Sequence, residues 1–449
     1  MFESALVHIS DLECGEGNRA ETMSYSDGYS ACADMLLEDV EQVLKDYEVQ
    51  HGRIGLVVTG DVASRGAADE YDKALSTLRR VTSRLHIPRE YLAIVPGNHD
   101  VSWADCERAF LQKYPGERDT TKARNLVEKI AHFQKFFEEA TGLKFNGPGS
   151  VVSFPEFLQL GVALVGFDTT VPCTFRREDN QGILLKETVD EGAGLLTQLT
   201  DKQPEAFRIA ALHHCLNPFA DENEKKEERS FLRNAKDARG FLAKAGFTVV
   251  VCGHEHHQRA LADLRTGQQV FATGSYGLRI EGLLERYGGD PPAVTNRYQI
   301  FFFGSDGPGK CVLRRLRFAG TLDSNWISDD EEGPASIPVY RTLLAFENDR
   351  AIPVIGNPIR FAWRPGWKVV SVVLNTSHEI LSGLESVTYK LGNVAVTRRN
   401  PQESFRAELE VCDPAGTSLE TELQFKNGRM KSLERVSLPS EDPIWSVSA

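Results

Sequence analysis

The chain has 449 residues, of which 41% are hydrophobic and 26% charged. This excludes wholesale disorder, a collagen-like repeat and a coiled coil, and the length predicts two to four domains at roughly 100–200 residues each. The net charge of −13 lies wholly within residues 1–334, where 38 Lys/Arg face 51 Asp/Glu, against 13 of each in 335–449; so acidic a body disfavours sequence-blind duplex binding, though not a locally basic groove.

From the amino end, Ala5–Ser10 is a strand-like run with no basic segment and no cleavable apolar stretch before it, so a cytoplasmic protein is expected. Apolar residues at 36, 37, 40, 43, 44 and 47 mark a helix over Asp34–Tyr47. Ile54–Thr59 reads as a strand, Glu70–Leu85 as a helix and Tyr91–Val95 as a strand. Residues 104–143 read as a mostly helical insertion, interrupted near Pro115. Leu158–Phe167, Ile209–Leu212 and Thr248–Val251 are strand candidates, with helices around Gly194–Leu199 and Ser230–Ala245. This alternation predicts an α/β domain. Strands close it at Gln268–Thr273, Arg297–Phe303 and Lys310–Phe318, with Gly304–Gly309 as a hairpin loop. No apolar run approaches the ~20 residues of a membrane span, so no membrane partner is expected.

A boundary is predicted at the acidic, turn-rich Asp329-Asp330-Glu331-Glu332-Gly333-Pro334. Residues 1–325 are expected to form the first domain, 326–337 a linker and 338–449 a second domain. Short runs follow at Tyr340–Phe346, Arg360–Trp363, Lys368–Leu374, Ser386–Leu391, Phe405–Val411 and Leu419–Phe425. Turn signals such as Gly356-Asn357-Pro358, Pro365-Gly366 and Asn427-Gly428 separate them, which suggests a small β-sandwich. Trp363, Trp367 and Trp445 with Arg360, Arg364, Arg398 and Arg399 fit either core tryptophans with surface arginines or a docking face for a protein or nucleic-acid partner. The eight cysteines contain no Cys-x-x-Cys pair and read as reduced thiols.

Five short segments each follow a predicted strand: Ser10-Asp11-Leu12-Glu13, Gly60-Asp61, Gly97-Asn98-His99-Asp100, His213-His214 and Gly253-His254-Glu255-His256-His257. Loops at strand ends are where α/β folds place ligands. Carboxylate, amide and imidazole together suit divalent ions such as manganese, iron or zinc. One bridging carboxylate with several imidazoles can hold two ions ~3.5–4 Å apart, an arrangement of many phosphoester-cleaving enzymes.

In this order the segments resemble the calcineurin-like metallophosphoesterase superfamily over about residues 4–320. The resemblance implies a four-layer α/β/β/α sandwich, here with an all-β sandwich-like domain appended. It implies two divalent metal ions, and Glu13 puts manganese first among manganese, magnesium, iron, zinc and nickel. Asp11 would ligate the first metal and Asp61 would bridge both. Asn98 and His213 would ligate the second metal, and His254 and His256 the second and first respectively, with His213 rather than His214 chosen from the pair. His99 would steady the scissile phosphate and protonate the leaving oxygen, and Arg65 would contact phosphate. The implied reaction is attack of metal-bound hydroxide on a phosphoester.

Two positions depart from the family pattern. Glu13 stands where Asp-x-His has histidine, and either ligates, favouring manganese or magnesium, or leaves a degenerate first site. Ser64 stands where the protein-phosphatase branch has an aspartate supporting the catalytic histidine, so that support is missing or comes from elsewhere, Asp100 being one source. The substrate expected is a phosphodiester, nucleotide or nucleic acid. A phosphomonoesterase and a catalytically weakened regulatory subunit are the alternatives.

Overall fold

The computed structural model describes residues 2–15, 28–50, 52–176, 179–216, 232–254, 258–262, 266–275, 296–304, 308–317, 325–328 and 336–342, and further on 352–361, 367–375, 384–391, 394–399, 407–412, 418–425, 430–432 and 436–437. The chain divides into two units, Met1–Ser328 with Pro338–Leu343, and Asp329–Ile337 with Leu344–Ala449. His256 and the acidic run 329–334 lie outside the described residues, as do Trp363, Arg364 and Trp445. Arg398 and Arg399 are exposed.

In chain order the elements up to residue 339 are β1 (Ser4–Ile9), α1 (Gly28–Asp46), β2 (Ile54–Thr59), α2 (Ala68–Arg84), β3 (Leu92–Val95), α3 (Trp103–Lys113), α4 (Ala131–Thr141), β4 (Val151–Phe154), β5 (Val162–Phe167), α5 (Lys186–Thr200), β6 (Phe207–Ala211), α6 (Ala235–Lys244), β7 (Val249–Cys252), β8 (Arg259–Ala262), β9 (Gln269–Ala272), β10 (Arg297–Phe303), β11 (Gly309–Arg317), β12 (Asn325–Ser328) and β13 (Ser336–Val339), the last straddling the division between the units. One sheet runs β12-β11-β10-β1-β2-β3 with β13 also on β11, and the other runs β4-β5-β6-β7-β9-β8. Strands β1, β2 and β3, with β3 at the sheet edge, run parallel, as do β5, β6, β7 and β9. β2 is apolar almost throughout and buried at every residue, the pattern of a parallel strand covered on both faces.

The sheets face one another. Phe271 of β9 meets Phe301 of β10 edge-on at 5.0 Å between ring centroids, and Phe207 lies 4.7 Å from Phe303. Outside the second sheet, Val189, Leu196 and Leu199 of α5 and Ala238 and Leu242 of α6 share a core with Phe167, Ala210 and Val250. On the outer side of the first sheet, α1 is clamped by Asp39, whose carboxylate accepts hydrogen bonds from Tyr298 and Arg314. Helices, two sheets and helices give the four layers.

The structure departs locally from the sequence reading. Leu158–Leu160 belongs to a 3₁₀ turn opened by Pro155 and closed by Gly161 at φ +77°, so β5 begins only at Val162. The insertion is two helices, α3 and α4, joined by short 3₁₀ turns. Residues 325–328 and 336–339, at the edges of the expected linker, are strands. Tyr340–Thr342 is not a strand, and 343–346 lies outside the described residues.

The second unit is strand-rich: β14 (Ile352–Phe361), β15 (Trp367–Asn375), β16 (Leu384–Leu391), β17 (Val394–Arg398), β18 (Ala407–Cys412), β19 (Ser418–Phe425), β20 (Met430–Ser432) and β21 (Val436–Ser437). They form a three-stranded sheet, β14-β15-β18, and a five-stranded one, β17-β16-β19-β20 with β21 on β19. Gly356-Asn357-Pro358, expected as a turn, lies inside β14, where the register with β15 slips between Gly356 and Arg360. Proline lacks the ladder N–H and glycine tolerates the kink, so a bulge absorbs both.

Candidate metal centre

The five motif segments leave the carboxyl ends of β1, β2, β3, β6 and β7, five parallel strands from the two facing sheets. Their turns are tight. Asp11, Glu13, Asp61 and His254 adopt φ of +54°, +45°, +49° and +69°. Non-glycine residues in this region are uncommon, and they cluster where packing holds strained backbone at functional sites. Two glycines are required by close approach. A Cβ on Gly97 would lie 2.1 Å from Asp61 Oδ1, and one on Gly253 would lie 1.8 Å from Ser10 Oγ.

His213 is the hub. Its Nδ1 donates to the Thr59 carbonyl at 2.6 Å, which fixes the tautomer and aims Nε2 into the centre. Around Nε2 lie Asn98 Oδ1 at 3.2 Å, His254 Nδ1 at 3.1 Å and Asp61 Oδ2 at 3.2 Å. Ligating atoms of Asp61, His213 and His254 all fall within 4.8 Å of one another. Nε2 can offer at most one proton to these three neighbours, so the group is rich in lone pairs and short of positive charge. The effect on ionisation is consistent with this. Burial lowers the pKa of His213, yet Asp61 outweighs it and raises the imidazole to about 9. Burial raises the Asp61 carboxyl, but His213 and His99 hold it well below the usual range. A pocket that keeps a buried imidazole charged is one that a divalent cation fits.

His214 faces away. Its Nδ1 lies 2.8 Å from Thr169 Oγ1 and its Nε2 3.1 Å from the Asn180 carbonyl, and burial with the charge of His213 depresses its pKa to about 3. Asp11 is buried, and its Oδ2 accepts the His254 N–H at 3.1 Å, so it borders the cluster. Glu13 is fixed through its backbone, donating to the Asp61 carbonyl at 2.8 Å and accepting from Ser64 Oγ at 2.8 Å. Neither Asp11 nor Glu13 belongs to the three-residue ligating group.

His99 sits beside this group. Its backbone N–H donates to Asp61 Oδ1 at 2.8 Å, and its Nδ1 lies 2.8 Å from the Ser64 carbonyl. The residue at 64 thus supports His99 through its backbone. Asp100 does not take that role. Its carboxylate accepts the Gly97 N–H at 2.9 Å, the Ala63 N–H at 3.0 Å and the Val62 N–H at 3.3 Å, and Tyr71 donates to it at 3.2 Å. It braces the loops after β2 and β3 against each other. Burial opposes charge on His99, but Asp61 and Glu13 raise its pKa to about 9. Arg65 is well exposed, and Glu70 steers it, accepting from Nε at 3.0 Å and from its backbone N–H at 2.9 Å.

Thr59, Glu70, Tyr71 and the bracing role of Asp100 were not legible as site features. The first acts through its carbonyl, which no side-chain pattern encodes, and Glu70 and Tyr71 read as ordinary first-turn helix residues. Lys129 is another. It is fully buried, and its Nζ donates to the carbonyls of Val171 and Cys173 at 2.8 Å and Thr170 at 3.2 Å, tying the insertion to the loop after β5.

Two facing mixed sheets flanked by helices, with this cluster at the carboxyl ends of their parallel strands, place the protein among the metal-dependent phosphoester hydrolases. Residues 5–258 match the calcineurin-like phosphoesterase family, and the chain belongs to it, a family that uses divalent metals. No curated protein matches the chain. Among solved structures, it is similar to a phosphopantetheinyl hydrolase from Mycobacterium tuberculosis at 14% identity and TM-score 0.33, over 64% of this chain and 93% of that one. It is similar to the NAD nucleotidase of Haemophilus influenzae at 12% identity and TM-score 0.30, over 73% and 54%. A protein serine/threonine phosphatase of Saccharomyces cerevisiae follows at 10% identity and TM-score 0.24, over 66% and 72%.

Proposed function

We propose that the protein is a dinuclear, manganese-preferring phosphodiesterase acting on nucleotides or nucleic acid. The observation that carries the metal reading is the convergence of Asn98, His254 and Asp61 on His213 Nε2 within 3.2 Å. Asp61, Asn98, His213 and His254 would hold one ion, and Asp61 with Asp11, Glu13 and His256 the other. The ions would supply Lewis acidity and a nucleophile at neutral pH.

The chain's own residues do the rest. Thr59 holds the tautomer of His213. Asp100 keeps the Gly60 and Gly97 loops in register. His99, its Nδ1 taken by the Ser64 carbonyl, has Nε2 left to donate a proton to the departing oxygen. Arg65, held by Glu70, offers its exposed guanidinium to a phosphate. A neutral carbonyl behind His99, in place of an acidic side chain, supports the preference for a diester. Glu13 supports manganese, because a third carboxylate near the centre favours a hard, oxygen-preferring ion.

The test is a metal-resolved screen of the purified protein on bis-p-nitrophenyl phosphate, p-nitrophenyl phosphate, cyclic nucleotides and nucleic acids. Manganese-dependent cleavage of the diester ahead of the monoester is expected. Preferential monoester cleavage would replace the diester reading with a phosphomonoesterase. Absence of turnover with any metal would favour a regulatory subunit.

A further inference from the structure

Two thiols lie against this centre and have no part in the chemistry above. Cys215 follows His213 by two residues and Cys252 precedes His254 by two. Their Sγ atoms are 2.8 Å apart, deep in a core shared with Leu212, Leu216 and Val250. Since a disulfide measures about 2.05 Å, the sulfurs need approach by only about 0.75 Å to bond. The backbones that carry them are already joined. Ala211 pairs with Val251 across β6 and β7, and the Gly253 N–H donates to the His213 carbonyl at 3.0 Å. Bonding therefore asks for a small side-chain rotation and no separation of strands.

We propose that Cys215 and Cys252 are a dithiol that a hydroperoxide oxidises to a disulfide, stapling together the loops that carry His213 and His254. One sulfur attacks a peroxide oxygen, the O–O bond breaks, water leaves and a sulfenic acid remains. The second sulfur then attacks that sulfenic sulfur, the S–S bond forms and a second water leaves with its proton. Two thiols and one hydrogen peroxide become one disulfide and two waters. The two sulfurs together give up two electrons and the peroxide takes them. Burial of both thiols restricts the oxidant to a small, uncharged molecule.

The staple has a consequence for the metal. His213 and His254 must part for an ion to leave, and a covalent link two residues from each resists that parting. This consequence rests on the proposed ligand roles of the two histidines; the bond itself does not.

The experiment uses the full chain loaded with manganese, treated with hydrogen peroxide, alkylated, digested without reduction and mapped by mass spectrometry. A peptide containing Cys215 joined to one containing Cys252 is expected, lighter by two hydrogens than the sum and separated by a phosphine reductant. Loss of manganese to a chelator should be several-fold slower in the oxidised protein than in the same sample after reduction. Cys252→Ala should lose both the linked peptide and the slowing, and the before-and-after comparison in the unmutated chain stands even where that variant folds poorly. Both thiols remaining alkylatable, or pairing elsewhere, overturns the proposal, and a linked peptide with unchanged or faster manganese loss overturns the staple. A protein that holds no manganese at all would end the metal reading, and the disulfide map would still decide this one.

Discussion

Asp61 and His99 touch through one hydrogen bond yet carry different proposed roles, and paired substitutions separate them. Asp61→Asn keeps the size and tolerates the left-handed backbone, since asparagine also occupies that region readily. It removes the charge that would bridge two cations, so metal content measured by atomic emission should fall and hydrolysis should vanish. His99→Asn should retain the metal while the rate drops ~10²–10⁴-fold, the usual range for a lost general acid. Loss of metal in the second variant would make His99 a ligand. The same cluster sets a pH dependence. In metal-free protein His213 and His99 are raised to about 9 from 6.5, so their contribution to stability is full below pH 6.5 and lost as pH rises through 9. Melting followed by circular dichroism in a chelator should therefore show Tm falling between pH 6.5 and 9. Metal uptake should strengthen over the same interval, because an ion displaces the imidazole proton.

At the scale of elements, the strands that carry the site were legible because they are continuous apolar runs. Ile54–Thr59 coincides with the observed β2, and Thr248–Val251 overlaps β7. The ordered motif set named Asp61, Asn98, His213 and His254, which lie together in the structure, but it did not name the brace. The Ser64 carbonyl supplies the support for which Asp100 was one expected source, and Asp100 instead accepts from backbone N–H groups, because hydrogen bonds to backbone carry no sequence signature. Short edge strands such as β8 and β12 escaped notice, having only four residues and little alternation. The insertion illustrates the same limit from the energetic side. Nothing in its pattern marks Lys129, yet three carbonyls depend on its ammonium group. Lys129→Ala should destabilise the protein by on the order of 3 kcal/mol, measured by urea unfolding, since buried acceptors would lose their donor. A change below ~0.5 kcal/mol would show that water replaces the ammonium without cost.

For the whole molecule, the proposed boundary between the two units lies within 326–337, and the placement of single residues refines where a cut is safe. Gln269 of β9 donates to the Pro338 carbonyl and accepts the Tyr340 N–H, both at 2.8 Å. A chain truncated after residue 335 loses those partners together with β13, whereas one ending at Leu343 keeps them. The longer fragment should melt cooperatively and at higher temperature, and limited proteolysis of the full chain should nick within 329–335 ahead of the strands. Equal melting of the two fragments would show that β13 contributes nothing to the first unit.

The place of β1 between β2 and β10 also fixes when this protein can fold. Leu6 pairs with Gly55 on one side and with Phe301 on the other, so β1 is completed by a strand made nearly 300 residues after it. At roughly 5–20 residues per second, the ribosome needs on the order of 15–60 s to pass from β1 to the end of β10, and until then one edge of β1 has no native neighbour. During synthesis the nascent chain therefore displays an apolar, unpaired strand edge, the kind of surface that chaperones bind and that seeds aggregation when expression outruns them.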